Sequence, residues 1–325
     1  MIRIGKVHKT KPHMFADAVE ISAVINDAPI SEADMLSLIR MSVTPATELM
    51  NIDELDVDDN NYEDTLTEAE ITDREQGYVV DCLIQLEYRT EQYGDTYPFT
   101  LENDLLLLKS NLSNSNRLYL FLLFASRSRT VIKKGFKNRV ADKFEEVCKT
   151  ALQKLMSPSA EVIMFGPSAP DRVDKFDTNL RLAIPMLAKF MGANVSNKFD
   201  ATKIAPQGDG QLDLIGVHTL DASEGGWHVF IGQCAAHEDE KTWKKKRFEA
   251  FPVNHRARFE FQVDPQGVMF IPVCFRCADG TWVDANSATG IILMDRQRIL
   301  FNVNDNELCA NSVNEFLADE LEIGA

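Results

Sequence analysis

Two short stretches combine side chains that could do chemistry. The first, Gly208–Ile215 (GDGQLDLI), sets Asp209 and Asp213 in a glycine-rich turn that runs into an apolar strand. The second, Val229–Ala236 (VFIGQCAA), is a strand-like run that reaches a lone carboxamide, Gln233. Side chains alternate along a strand, so Asp213 shares a face with Ile215, and Gln233 shares one with Ile231 and Ala235. If the two runs pair as a hairpin, an acid and an amide oxygen meet where the sheet splays. A third oxygen is available from Glu145, one position past Phe144 and so at the edge of a buried helix face. Hard oxygen donors around an open position are what a divalent cation needs to orient water against a phosphodiester. The ordinary alternative is a plain hairpin, since Gly and Asp are common turn residues, with Glu145 a surface glutamate.

The elements that would carry these residues follow from periodicity. FKNRVADKFEEVCKTALQKLM places Phe136, Val140, Phe144, Val147, Cys148, Ala151, Leu152 and Leu155 at steps of three and four, which predicts a helix closed by Pro158. A strand EVIMFG comes next, then an amphipathic stretch DKFDTNLRLAIPMLAKFMG kinked at Pro185 and ended by Gly192. Strands QLDLIGVH and WHVFIGQCA, a helix over EDEKTWKKKRFEAF, strands VMFIPVCF and IILMD, and a last helix ELCANSVNEFLADEL complete the chain. The expected fold class is α/β, a mixed sheet flanked by helices.

The front of the chain reads differently. Residues 1–130 are expected to form an acidic α+β domain of their own, with residues 131–325 as the second domain. Asn51–Asp73 (NIDELDVDDNNYEDTLTEAEITD) is too polar to bury and reads as a flexible or solvent-covered segment; it lacks the central glycine of an EF-hand loop. VVDCLIQLEYRTEQYGDTYPF reads as a helix or strand ending in an aromatic turn, and LLLLKSNLSNSNRLYLFLLFAS as two apolar elements around a polar turn.

Charge and composition narrow the class. The 325 residues are 45% hydrophobic and 26% charged, enough for a sizeable core. The apolar run Leu118–Ala125 is too short to span a membrane, and the opening residues carry no leader, so a cytoplasmic protein without a membrane partner is expected. Six irregularly spaced cysteines read as free thiols. The net charge is −16, but residues 1–130 hold −12 of it (11 Lys/Arg, 23 Asp/Glu). Behind them, basic residues cluster at Lys133, Lys134, Lys137, Arg139 and Lys143 and again at Lys241, Lys244, Lys245, Lys246 and Arg247. Such clusters are usually solvated faces; two of them flanking one site could hold phosphates, with Lys241, Lys244, Lys245, Arg247, Lys137 and Arg139 as the contacts.

In order and element type, FEE at Phe144–Glu146, GDGQLD at Gly208–Asp213 and GQCA at Gly232–Ala235 resemble the PD-(D/E)XK nuclease superfamily, and within it the Mrr-like restriction endonucleases. The resemblance covers roughly residues 136–275. It implies a restriction-endonuclease-like fold and a metal-dependent DNA endonuclease, acting in defence against foreign DNA. Glu145, Asp213 and Gln233 would hold Mg²⁺ or Mn²⁺. Ala235 stands where the family carries its lysine. In some members the neighbouring helix supplies that lysine, and Lys246, one turn beyond an inward Trp243, is the substitute expected here. The alternative is a catalytically inactive, nuclease-fold subunit that binds DNA or a partner, and an RNA-directed nuclease is a third reading. The acidic front would recruit a protein partner or a second copy.

Other motifs carry less. Cys274 and Cys277 (CFRC) form a lone C-x-x-C without a second ligand pair. His237, beside Glu238, Asp239 and Glu240, reads as solvent-facing loop, His218 and His228 as surface residues, and Asp295–Arg298 (DRQR) as an ion-paired turn or phosphate contact. Neither a P-loop nor a G-x-S-x-G elbow occurs.

Overall fold

The computed structural model describes residues 7–41, 67–128, 136–167, 169–221, 225–237, 239–303 and 307–321. Most of the acidic segment and the expected domain boundary lie outside the described residues, as do Lys133 and Lys134. Contacts divide the chain into two units. The first gathers the described residues of Met1–Leu112 and Phe275–Val283; the second gathers those of Ser113–Arg129, Lys133–Cys274 and Asp284–Ala325.

In the first unit, helices α1 (Pro12–Asn26), α2 (Glu32–Met41) and α3 (Glu68–Tyr93) pack with a hairpin of β1 (Phe99–Glu102) and β2 (Leu105–Leu108). The hairpin turns at Asn103 and Asp104, both with positive φ, residue types that tolerate that region. Glu68–Asp73, expected to be flexible, is instead the first turn of α3. Thr67 and Glu70 form a reciprocal capping box that satisfies the helix's first N–H groups. Arg89 of α3 is fully buried between Asp17 and Glu20, 2.8 Å from each.

The second unit is α/β, a mixed sheet flanked by helices, as its alternation of helical and strand periods predicts. Its elements are α4 (Asn114–Ser126), α5 (Phe136–Leu155), β3 (Glu161–Met164), α6 (Pro170–Lys175), α7 (Leu180–Phe190), β4 (Asn194–Val195), β5 (Leu214–His218), β6 (His228–Cys234), α8 (Glu240–Arg247), β7 (Phe259–Glu260), β8 (Gln266–Phe270), β9 (Ile292–Met294), α9 (Arg296–Val303) and α10 (Glu307–Leu321). Five strands form one sheet in the order β3-β5-β6-β8-β9. β3, β5 and β6 run antiparallel, and β6, β8 and β9 run parallel. The two runs singled out above pair as the expected hairpin, with Leu214 opposite Gly232 and His218 opposite His228.

Helix α5 covers one face of this sheet. Its buried stripe is the predicted one except for Leu155, which is 37% exposed. Gly216 in β5 lets the helix approach, because a Cβ there would collide with Met156. On the other face Ala183, Ile184, Leu187 and Ala188 of α7 pack on Ile215, Val217, Val229 and Ile231. Helix α7 runs through Pro185, which sits on its exposed side, and Gly192 follows with a left-handed φ of 63°.

Two expectations change. α4, read as part of the front, packs on α5, α9 and α10 of the second unit, and Phe275–Val283 clusters with the first unit. DRQR is the start of a helix rather than a turn: Asp295 Oδ1 accepts the Arg298 N–H at 3.2 Å where α9 begins. Arg296, fully buried, donates to Pro272 O (2.9 Å), Tyr119 Oη (3.2 Å) and Ser126 Oγ (3.3 Å). All six cysteines are free thiols. Among the described residues no helix is long and apolar enough to cross a membrane.

Candidate active site

Asp213 is the last residue before β5, where the chain leaves the glycine-rich turn. Its carbonyl accepts the Phe165 N–H at 2.8 Å beyond β3, and its Oδ2 accepts the Cys234 N–H at 2.8 Å at the end of β6. Main chain and side chain thus fix this aspartate between two strands at the sheet's splayed end. Lys246 Nζ donates to the same Oδ2 at 2.7 Å and to Cys234 O at 2.7 Å. The lysine arrives there because α8 turns Trp243, fully buried, inward and Lys246 follows one turn later. Oδ1 of Asp213 has no hydrogen-bond partner among the described residues.

Burial works against the charge of Lys246, but the Asp213 carboxylate outweighs it and holds the pKa above the ordinary lysine value. The side chain is therefore an ammonium at neutral pH. Glu145, from α5, lies within electrostatic reach of this pair: burial first, and then the Asp213 charge, push its pKa from 4.5 to about 7, with Lys246 pulling the other way. Two further carboxylates act on this group. Asp209 in the turn raises Glu145, and Glu249, just past α8, is itself raised by burial and by Asp213 and Asp209. Carboxylates and cations thus alternate around this place: Lys246 and Lys245 act on Glu249, and Arg172 and Arg258 on Asp209.

Gln233 is fully buried. Its Nε2 donates to Gln211 O at 2.7 Å, bracing the turn two residues before Asp213, while its Oε1 is buried with no hydrogen-bond partner. An orphaned buried acceptor is costly and rare. Behind it, Cys234 hydrogen-bonds Cys148 of α5, tying the helix that carries Glu145 to the strand that carries Gln233.

Of the residues singled out in the sequence, Asp213 and Lys246 are in direct contact, Glu145 lies within their electrostatic reach, and Gln233 sits opposite Asp213 in the continued ladder, committed through its nitrogen to the turn. Among the described residues no three His, Cys, Asp or Glu side chains converge as a metal cluster, the carboxylates of this site included. The basic cluster on α8 divides. Lys244 is ion-paired with Glu240 (3.2 Å) and Asp284 (2.9 Å), and Arg247 is held by Asn286 O (2.7 Å) and Ser287 O (2.6 Å), so both brace the loop before β9 rather than standing open to phosphate. Lys241, Lys245, Lys137 and Arg139 are exposed. His237, expected in solvent, is buried and accepts the Asp239 N–H on Nδ1 at 3.1 Å. Sequence reasoning missed Arg172 and Glu249, and Arg258, which reads there only as a basic residue behind the second cluster, instead holds Gly210 O and His255. None lies in a motif, and only Asp209 was visible, as the first acid of the turn.

Two consequences are measurable. Since the native state holds the Glu145 proton up to about pH 7 and the unfolded chain only to about 4.5, unfolding releases a proton between these values, and stability falls as pH rises through them. Glu145→Gln removes this cost. In EDTA the variant should match the wild type near pH 4.5 and exceed it by about 1–2 kcal/mol at pH 8, after discounting for partial exposure, in denaturant titrations. Gln233→Ala leaves Gln211 O unbraced and removes an oxygen from the site. It should lower stability by about 1–2 kcal/mol in the same titrations.

A scan of protein-family models finds no match to the chain. Neither the curated proteins nor the solved structures contain one that matches it.

Proposed function

We propose that the chain is a divalent-cation-dependent DNA endonuclease whose second unit is a restriction-endonuclease-like domain of the PD-(D/E)XK kind, serving defence against foreign DNA. The observation that carries this reading is the 2.7 Å contact of Lys246 with Asp213, which brings an ammonium to the place that Ala235 leaves without one. The Asp213 carboxylate and the orphaned Gln233 Oε1 are hard oxygens of the kind Mg²⁺ or Mn²⁺ takes. Asp213, Glu145 and Gln233 would hold the ion, which when bound supplies a Lewis acid and lowers the pKa of a water.

The chain's own groups divide the remaining work. Lys246, kept protonated by Asp213, is a poor base and serves as a fixed positive charge for the developing oxyanion. Glu145, held partly protonated by burial and by Asp213 when no ion is present, would be drawn to its charged form by a bound cation and so serve as an oxygen ligand. Asp213 orients Lys246 and contributes a carboxylate that two strands hold still. Exposed Lys241, Lys245, Lys137 and Arg139 supply phosphate contacts, so binding should weaken with salt.

The second reading, a non-catalytic subunit that binds DNA or a partner protein, draws on the same ion pair, because Lys246 by itself already satisfies Asp213. Incubating purified protein with supercoiled plasmid and with RNA, in Mg²⁺, Mn²⁺ or EDTA, separates the readings. Nicking or linearisation of plasmid that EDTA abolishes is the expected outcome. Intact plasmid at protein in excess over DNA leaves the binding subunit, and cleavage of RNA alone moves the substrate class.

A further inference from the structure

We propose that Arg172 and the Arg258–His255 pair are positioning residues that hold the two partners of the Asp213–Lys246 contact in register, an inference that rests on the site assigned above. Arg172 on α6 is fully buried, yet no carboxylate among the described residues forms a salt bridge with it, Asp209 and Asp177 acting only at a distance. Its guanidinium donates to main-chain carbonyls: Gly208 at 2.6 Å, Thr178 at 2.9 Å, and Phe165 and Asp177 at 3.3 Å each, with the Phe165 ring 4.8 Å beneath it. Gly208 opens the turn that delivers Asp213, and the Phe165 N–H bonds Asp213's own carbonyl. One side chain therefore grips the turn and the residue that anchors Asp213. A buried guanidinium is expensive to keep, and carbonyls alone repay it only where the geometry is fixed.

Arg258 holds the other side. Nη1 donates to Gly210 O, and Nη2 donates to His255 Nδ1 at 2.6 Å, which leaves His255 Nε2 to donate to Glu249 O at 2.5 Å. Glu249 follows Lys246 by three residues. The path Gly210–Arg258–His255–Glu249 therefore joins the turn before Asp213 to the segment after Lys246. The turn is shaped for it. Gly208, Gly210 and Gln211 all have positive φ (102°, 67° and 62°), and a Cβ on Gly210 would stand 2.6 Å from Arg258 Nη1. Gln233 braces the third carbonyl, that of Gln211.

Competitive labelling of lysines with an amine-reactive acetyl ester in EDTA, read by peptide mass spectrometry, tests this without relying on activity. Lys246 is measured against exposed Lys245. Asp213→Asn, the reference, should raise Lys246 labelling. Arg258→Met, which keeps the stem over Phe259, and His255→Phe should each raise it about tenfold, with Lys245 unchanged. Arg258→Lys, which retains a donor for Gly210 O but loses the contact with His255, should raise Lys246 labelling by less than Arg258→Met does. In the plasmid assay the same two variants should lower kcat with KM unchanged. If Asp213→Asn raises labelling while folded Arg258→Met and His255→Phe do not, the positioning role is wrong and the site stands. If Asp213→Asn itself leaves Lys246 unchanged, the Asp213–Lys246 pair is wrong and both readings fall.

Discussion

Asp213→Asn is expected to leave the fold intact and to lower DNA cleavage by on the order of 10³-fold or more. The amide oxygen of asparagine can still accept the Cys234 N–H, and the backbone bond from Phe165 is untouched, so the end of the sheet keeps its ties. What is lost is the charge. Lys246 loses the carboxylate that raises its pKa and fixes its ammonium, and the proposed cation site would lose an oxygen ligand. Glu145 loses the neighbour that, after burial, does most to raise its pKa, so its titration should move down. A fall in kcat with little change in thermal stability, checked by plasmid cleavage beside calorimetry, is the signature. A large loss of stability would instead mean that Asp213 serves the fold.

Lys246→Met should be the second-largest effect. It keeps the aliphatic stem packed over the site and deletes only the ammonium. Turnover should fall by roughly 10²–10³-fold, the range for removing one preorganised group that stabilises developing charge, with KM for DNA nearly unchanged because the exposed lysines are intact. Stability should fall by about 1–3 kcal/mol, since Asp213 is left half-satisfied in a buried place. Lys246→Arg, which restores charge without the same reach, should recover part of the rate. Single-turnover kinetics on a defined duplex separates these outcomes from weaker binding.

Much of this site was legible in the sequence because local periodicity set its elements. The three- and four-residue steps from Phe136 to Leu152 place Glu145 at the edge of a buried face. Alternation in QLDLI and VFIGQ pairs β5 with β6. Trp243 turned inward makes Lys246 the lysine one turn on, which is why it could be picked from Lys241, Lys244, Lys245 and Lys246. The rest depends on distant partners. A buried arginine such as Arg172 looks like any charged residue until the carbonyls of Gly208 and Thr178 come to meet it. Lys244 and Arg247 read as free cations because Asp284 and Asn286, which occupy them, lie some 40 residues away. α4 joins the second unit through α10, nearly 200 residues on, so no local signal could set that boundary. The α9 start was different: Asp295 is an ordinary capping residue, and the signal was present but unread.

The central claim is that Asp213, Glu145 and Gln233 share one divalent cation beside Lys246. Titrating metal-free protein with Mn²⁺ and following the loss of the free-ion signal by electron paramagnetic resonance tests it most directly. One site, competed by Mg²⁺, weakened in Glu145→Gln and Gln233→Ala and abolished in Asp213→Asn, is the predicted result; identical Mn²⁺ binding in the wild type and all three variants would contradict it.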